Sequence, residues 1–205
     1  MGRALATGMA PHTFDKTLAI VRAVRTRSAV PIVLFGYLNP LFQYRFERAA
    51  DAAHDAGADG FLIVDLPADE DDALANAARR AGLDLVHLIA PTTPTERAQL
   101  VARHSTGFVY YVTMTGVTGA RSVDAAAVRA EVARLRPALH DLPLVAGFGI
   151  RSPADVAALA PEVDGVVVGS AIVKLLYDLR DEPHPLRTAA LERTVAALKS
   201  ACKRA

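Results

Sequence analysis

Short apolar runs and amphipathic stretches alternate along the whole 205-residue chain. Six of the apolar runs begin near residues 31, 60, 84, 107, 143 and 164, and they are apolar at nearly every position. Strands that are buried on both faces of a parallel sheet have this pattern. Between the runs, apolar residues recur at helical spacing. The pattern therefore predicts an α/β fold in which helices cover a parallel sheet.

Capping residues and glycines predict where individual helices begin and end. Thr13 and the pair Ser152-Pro153 occupy N-cap positions, and Thr93-Pro94-Thr95-Glu96 has the form of a capping box. Gly57 and Gly82 follow two predicted helices, where glycine commonly ends a helix.

The connections between elements have their own signals. The segment Tyr37-Leu38-Asn39-Pro40 predicts a loop, and the run from Leu85 to Ala90 predicts a single strand. The acidic run from Asp69 to Asp72 predicts the first turn of a helix, because the helix dipole favours negative charge there.

Composition and charge exclude several classes of protein. The net charge is +1 and the basic residues are scattered, which does not favour nucleic-acid binding. Although 52% of the residues are hydrophobic, no apolar run approaches the ~20 residues of a membrane span. The single cysteine, Cys202, fits a reducing compartment, and the six histidines lack metal-ligand spacing. We therefore expect a cytoplasmic protein without a metal site.

Three predicted strand ends carry glycine-rich turns. These turns are Gly116-Val117-Thr118-Gly119, Gly147-Phe148-Gly149 and Gly169-Ser170. Glycine lets backbone N–H groups turn outward toward an anion, and the third turn leads directly into a helix amino terminus. Together the three turns predict a phosphate-binding site.

The order of these turns favours one parallel architecture. A (β/α)8 barrel has eight strands in about 250 residues, and its phosphate sites commonly follow strands 7 and 8. Numbering backwards from the last glycine turn makes the predicted strands numbers 3 to 8. We therefore expect residues 1–205 to form a single, incomplete TIM-barrel domain with six of the eight βα units. A six-stranded open α/β sheet is the alternative.

Several motifs resemble those of the tryptophan synthase alpha subunit, in the family's order and spacing. They are Tyr37-x-Asn39-Pro40, Asp65-Leu66-Pro67, Tyr110-Tyr111-Val112 with Gly116-Val117-Thr118-Gly119, Gly147-Phe148-Gly149-Ile150, and Gly169-Ser170-Ala171. The resemblance implies a lyase of tryptophan biosynthesis, which cleaves indole-3-glycerol phosphate to indole and glyceraldehyde 3-phosphate by a retro-aldol reaction. It implies no cofactor in this chain, since pyridoxal phosphate belongs to the partner beta subunit of the family's alpha2beta2 assembly.

The resemblance also implies roles for individual residues. Those expected to hold the substrate phosphate are Gly119, Phe148, Gly149, Gly169 and Ser170. Those expected on the indole side are Phe35, Tyr37 and Tyr110, with Thr118 as a supporting residue. Those expected at the rim that faces the beta subunit are Asn39, Asp65, Leu66 and Pro67.

One departure from the family concerns its acid–base pair. In the family, a glutamate at the end of strand 2 and an aspartate in the following loop move the protons. No carboxylate of this sequence matches either, and we expect both to lie upstream of Met1. We therefore expect the 205-residue chain to bind phosphate and to be inactive alone.

Other functions remain as alternatives. A non-catalytic module that binds phosphate or docks on the beta subunit is one. Another is a different phosphate-handling barrel, such as an indole-glycerol-phosphate synthase or a pentose-phosphate epimerase. The strand ends carry neither the lysines expected of the synthase nor the metal-binding histidines and aspartates expected of the epimerase.

Overall fold

The computed structural model describes residues 13–70, 72–113 and 124–202, and strands alternate with helices through these ranges. The strands are β1 (Val33–Gly36), β2 (Gly60–Ile63), β3 (Asp84–Val86), β4 (Leu88–Ile89), β5 (Val109–Val112), β6 (Leu144–Gly147) and β7 (Gly165–Val166). The helices are α1 (Phe14–Arg25), α2 (Leu38–Tyr44), α3 (Phe46–Ala56), α4 (Asp72–Arg80), α5 (Thr95–His104), α6 (Ala125–Leu139), α7 (Pro153–Leu159), α8 (Ser170–Asp178) and α9 (His184–Ala201).

The strands form two sheets in which each strand is parallel to its neighbours. The first sheet has the order β1-β2-β3, and the second has the order β4-β5-β6-β7. The chain divides into two compact units at the same place, with residues 1–87 in unit 1 and residues 88–205 in unit 2. The predicted parallel pairing of successive strands is therefore confirmed within each unit.

The core of unit 1 depends on small side chains along one face of α3. Ala49, Ala50 and Ala53 are fully buried, and α3 packs against α1 and α4. Because alanine adds little bulk, neighbouring elements can approach this face closely and enclose the buried ring of Phe61. In unit 2 the largest buried side chains belong to the strands and to the helices that cover them, and they include Tyr111, Leu135 and Leu159.

An aspartate–arginine clasp fastens the amino ends of the strands in unit 1. The Asp59 carboxylate accepts hydrogen bonds from the backbone N–H of Ile32, at 2.6 Å, and from the guanidinium of Arg25. Arg25 also donates to three backbone carbonyl oxygens, including that of Gly57 at 2.5 Å. One guanidinium thus joins the segment after α1 to the segment before β2.

Unit 2 repeats this clasp at the amino end of β7. The Asp164 carboxylate accepts hydrogen bonds from the backbone N–H of Leu144, at 2.8 Å, and from the guanidinium of Arg136. The backbone N–H of Asp164 donates in turn to the Leu144 carbonyl oxygen at 2.9 Å. Each clasp therefore pins the start of one strand to the start of its neighbour.

The caps predicted from local sequence have mixed outcomes. Thr13 caps α1 and Ser152 caps α7, where Ser152 and Asp155 complete a capping box, so both predictions are confirmed. The capping box predicted at 93–96 is wrong, since α5 begins after Pro94 without a side-chain cap. The Thr93 hydroxyl instead accepts from the backbone N–H of Ala90 at 2.9 Å. That bond closes the turn after β4 and occupies the hydroxyl.

Two predicted boundaries are also corrected. The loop predicted at 37–40 is the start of α2, because the Asp65 carboxylate accepts from the backbone N–H of Leu38 at 2.7 Å and caps the helix. Pro40 fits in this first turn, where a backbone N–H has no helical acceptor. The single strand predicted at 85–90 is divided at His87 into β3, which pairs with β2, and β4, which pairs with β5.

Two residues of the acidic run, Asp69 and Glu70, lie before the helix. α4 begins at Asp72, so Asp69 and Glu70 precede the first turn that they were predicted to occupy. Gly57 and Gly82 follow their helices with φ of 92° and 71°, which confirms both as helix ends.

Candidate phosphate-binding site

The carboxyl ends of β6 and β7 bring two of the predicted glycine turns to one edge of the sheet in unit 2. Ala146 of β6 pairs with Val166 of β7 in parallel register. Gly149 and Gly169 each lie three residues beyond this pair. Since neighbouring strands are about 4.8 Å apart, both turns leave the sheet at the same edge.

The turn after β6 has an uncommon backbone conformation. Phe148 and Gly149 have φ of 77° and 75°, and a residue with a side chain rarely adopts such a value. Within the described ranges, no hydrogen bond takes up the N–H of Phe148 or of Gly149. Strained residues of this kind cluster at ligand-binding sites, and here they leave two donors for a ligand.

A buried threonine lies directly beneath this turn. Thr113 follows β5, is 3% exposed, and places its hydroxyl 2.7 Å from the carbonyl oxygen of Gly147 and against the carbonyl oxygen of Phe148. Its backbone N–H also donates to the Gly147 oxygen at 2.8 Å. The sequence pattern predicts no role for Thr113. The available signal was a threonine that ends an otherwise apolar run, Val109 to Val112.

Tyr110 belongs to β5, the strand that pairs with β6, and its side chain reaches the turn after β6. Its ring is buried and meets the ring of Phe148 edge to face, with 6.2 Å between centroids and an interplanar angle of 89°. Burial raises the pKa of the Tyr110 phenol, so the group is neutral near pH 7. The Phe148 side chain is 51% exposed, and its ring extends the apolar surface beside the turn.

The turn after β7 supplies a helix amino terminus. Gly169 is the N-cap of α8 and Ser170 is its first residue. The backbone N–H groups of Ile172 and Val173 donate to the Gly169 oxygen, whereas those of Ser170 and Ala171 have no backbone acceptor among the described residues. Together with the helix dipole, such donors favour an anion. Lys174, one turn further on, pairs with Asp178 at 2.6 Å on the exposed face.

The third predicted turn, with Thr118 and Gly119, lies outside the described residues. The remaining predicted site residues belong to unit 1. Phe35 and Tyr37, at the carboxyl end of β1, are 60% and 58% exposed and line a cleft of about 140 Å3 with Phe14 of α1.

The residues predicted at the rim differ in solvent exposure. Asn39, Asp65 and Pro67 are exposed, and Asp65 holds the start of α2 through Leu38. Leu66 is 8% exposed and belongs to the core of unit 1, so it is not part of the exposed rim.

Comparisons with known proteins decide the family. A family model described as "Tryptophan synthase alpha chain" matches residues 1–203. The tryptophan synthase alpha chain of Geobacter sulfurreducens is 48% identical over 203 residues, which are 99% of this chain and 73% of that protein. That of Pelobacter propionicus is 45% identical over 204 residues, covering 97% of this chain and 72% of that protein. The chain belongs to the tryptophan synthase alpha chain family.

Solved structures agree with this membership. Tryptophan synthase subunit alpha from Legionella pneumophila has a TM-score of 0.83 at 33% identity, covering 98% of this chain and 72% of that chain. A structure titled as a tryptophan synthase complex from Pyrococcus furiosus has a TM-score of 0.79 at 30% identity, and the match covers 97% of this chain and 76% of that chain. The predicted family, its place in tryptophan biosynthesis and the TIM-barrel class of the fold are thereby confirmed.

Two further properties follow from the described part of this alpha-family chain. No helix there is long and apolar enough to cross a membrane. No group of three or more histidine, cysteine, aspartate or glutamate side chains there is arranged to hold a metal ion. The alpha family to which the chain belongs is a lyase family.

Proposed function

We propose that this chain binds the phosphate of indole-3-glycerol phosphate at the carboxyl ends of β6 and β7. The observation that carries the proposal is the pair of N–H groups at Phe148 and Gly149, which have no protein acceptor in the described ranges, beside the amino terminus of α8 at Gly169 and Ser170. Phosphate oxygens accept hydrogen bonds from such groups, and the helix dipole adds a favourable charge interaction. By family resemblance, Gly119 is proposed as a further donor.

The apolar end of the substrate is proposed to contact aromatic rings. In unit 2, Tyr110 and the exposed ring of Phe148 offer an edge-to-face pair beside the phosphate turn. In unit 1, Phe35 and Tyr37 are exposed rings and are proposed as indole contacts by family resemblance. Thr118 is proposed as the support for the family's catalytic aspartate.

Binding without cleavage is proposed for the 205 residues alone. Retro-aldol cleavage places a proton on an indole ring carbon and removes one from a substrate hydroxyl, and each positioned acid or base contributes roughly 10²–10⁴ in rate. Among the described residues, the carboxylate nearest in sequence to the carboxyl end of a strand is Asp65, two residues after β2, and it already accepts from the backbone N–H of Leu38. We therefore expect no substantial release of indole from indole-3-glycerol phosphate.

The test uses a charge at each of two helix amino termini in unit 2. Ser170→Asp adds a carboxylate where the phosphate is proposed to bind, whereas Thr95→Asp adds the same charge at the first residue of α5. Both substitutions suit the helix dipole, so neither is expected to unfold the chain. Calorimetric titration with glycerol 3-phosphate should show binding by the unchanged chain and by Thr95→Asp, and a loss of roughly tenfold or more in affinity for Ser170→Asp.

Two results would contradict this function. If the unchanged chain binds no glycerol 3-phosphate, or if Ser170→Asp binds as well as Thr95→Asp, the phosphate is not held at α8. If the unchanged chain releases indole at a rate typical of enzymes, about 1 s⁻¹ or more, the proposal of binding without cleavage is wrong.

Docking on a beta subunit is the second candidate function. Asn39, Asp65 and Pro67 form exposed surface on unit 1, as the family resemblance requires of the rim. Titration of the chain into purified tryptophan synthase beta subunit should release or absorb heat. The substitution Asn39→Arg should weaken that binding, whereas Glu192→Arg, at an exposed position of α9, should not. Equal affinities for the two variants would remove Asn39 from the interface.

A further inference from the structure

We infer that Thr113 is a positioning residue, which orients the N–H groups of Phe148 and Gly149 toward the phosphate. The inference rests on the proposed phosphate site and adds the side chain that holds its geometry. Thr113 itself is buried at 3% exposure and touches carbonyl oxygens of the turn. It therefore acts through the backbone and not by contact with substrate.

Peptide planarity connects these contacts to the direction of the donors. In a trans peptide unit, the carbonyl oxygen of one residue and the N–H of the next point in opposite directions. The Gly147 oxygen is held by both the N–H and the hydroxyl of Thr113, at 2.8 and 2.7 Å. The N–H of Phe148, in the same peptide unit, therefore points away from Thr113.

The same relation applies to the next peptide unit. The Phe148 oxygen also contacts the Thr113 hydroxyl, so the N–H of Gly149 points away from Thr113. A hydroxyl has one proton, which the two carbonyl oxygens share. One side chain thus fixes two successive peptide planes, and both of their donors point away from the buried threonine.

The backbone of the turn needs such support. Phe148 has φ of 77°, a conformation that is unfavourable for a residue with a side chain and persists where the surroundings hold it. Without the hydroxyl, the Phe148–Gly149 peptide is free to rotate and to turn its N–H away from the ligand. A valine at position 113 has the shape of threonine and lacks the donor.

The experiment compares Thr113→Val with Thr113→Ser, using inorganic phosphate as the probe. We expect the dissociation constant of Thr113→Val to be weaker by roughly three- to tenfold, and that of Thr113→Ser to stay near the unchanged value. Thermal unfolding of both variants is recorded in parallel. Equal affinity of Thr113→Val and the unchanged chain would overturn the positioning role while leaving the phosphate site intact.

A measurement on the unchanged chain covers the case in which Thr113→Val does not fold. Titration with phosphate should shift the amide proton signals of Phe148 and Gly149 in the nuclear magnetic resonance spectrum, with one common saturation curve. If phosphate saturates the chain and these two signals stay in place, the inference is overturned. If phosphate does not bind at all, the proposed function fails and the inference fails with it.

Discussion

Tyr110 occupies the space where a β-carbon on Gly147 would lie. Such a carbon would come within 3.0 Å of three atoms of the Tyr110 side chain, with the phenolic oxygen nearest. Real β-carbons do not approach other atoms so closely, and Tyr110 is 4% exposed and cannot swing into solvent. Glycine at position 147 is therefore required by packing, at the residue where β6 ends and the turn with Phe148 and Gly149 begins.

Replacing this glycine should destabilise the chain through overpacking. We expect Gly147→Ala to lower the free energy of unfolding by about 1–3 kcal/mol, because the Tyr110 ring or β6 must move. Gly36→Ala is the matched control: it also lies at the end of a strand, and its β-carbon would meet nothing within 4 Å. Urea denaturation of both variants provides the measurement. Equal stability of the two would show that Tyr110 can yield at little cost.

Because of the contacts in the clasp of unit 1, we expect replacement of Arg25 by lysine to destabilise the chain. The guanidinium reaches three carbonyl oxygens and the Asp59 carboxylate, whereas one ammonium group cannot reach all four. We expect Arg25→Lys to lower the free energy of unfolding by about 1–3 kcal/mol, mainly through unsatisfied carbonyl oxygens.

The control for Arg25 is another arginine of unit 1. Arg80 forms an exposed ion pair with Asp51 at 3.5 Å, so Arg80→Lys should change stability by less than about 0.5 kcal/mol. The denaturant midpoints of the two variants are compared, and a change in midpoint at an unchanged m-value measures the change in stability. A loss at Arg25 no larger than that at Arg80 would show that the clasp adds nothing to stability.

Stability should fall in alkali because of the buried phenols. Burial raises the pKa of Tyr110, and it does the same for Tyr111, where Glu131 adds to the effect and Arg134 opposes it. An unfolded tyrosine ionises near pH 10, so above about pH 10 the unfolded chain loses protons that the folded chain keeps. The stabilisation is thus complete below about pH 10 and decreases as the pH rises further.

The alkaline decrease can be attributed to one residue by substitution. We expect Tyr110→Phe to reduce the steepness with which the unfolding free energy falls above about pH 10. Urea denaturation at several pH values measures the slope. Identical slopes for Tyr110→Phe and the unchanged chain would exclude Tyr110 as the source.

We expect copies of the chain to associate with one another through the exposed apolar face of α8. No side chain of this helix is buried, and Val173, Leu176 and Tyr177 are 67%, 42% and 51% exposed. Among the described residues, β7 also pairs on one side alone. Exposed apolar surface and open sheet edges promote association, so sedimentation velocity should detect species heavier than one chain as concentration rises.

A matched pair of charged variants tests the role of α8 in association. Val173→Lys places a positive charge on the apolar surface of the helix, and Ser200→Lys adds the same charge to an exposed position on α9. We expect the first variant to remain monomeric at concentrations where the second associates. A chain that stays monomeric throughout would show that the exposed face is tolerated in water.

Local sequence predicted those features of the fold that depend on neighbouring residues. The cap at Ser152 uses Asp155, three residues away, and was predictable for that reason. The start of α2 depends on Asp65, which lies 27 residues beyond Leu38, so the sequence pattern suggested a loop. At Thr93 the capping-box motif was present, and a competing bond to Ala90 decided against it.

The two glycine turns of the candidate site were predictable from the sequence. Gly149 and Gly169 stand in the turns that the sequence marked, and the parallel register brings them to one edge. Thr113 was missed because its role arises from contacts with residues 147 and 148, 34 and 35 positions away. A single threonine at the end of an apolar run gives no indication of which carbonyl oxygens it will meet.

The clasp of unit 2 and the turn at Gly169, which is proposed to bind phosphate, lie at opposite ends of the same strand, β7. Asp164 secures the amino end, five residues before Gly169. We therefore expect mutations at Gly169 or Ser170 to leave the Asp164 hydrogen bonds intact. Mutations that strengthen those hydrogen bonds should likewise leave the turn at Gly169 unchanged. Evolution can in this way retune ligand preference and heat resistance on separate residues of one strand.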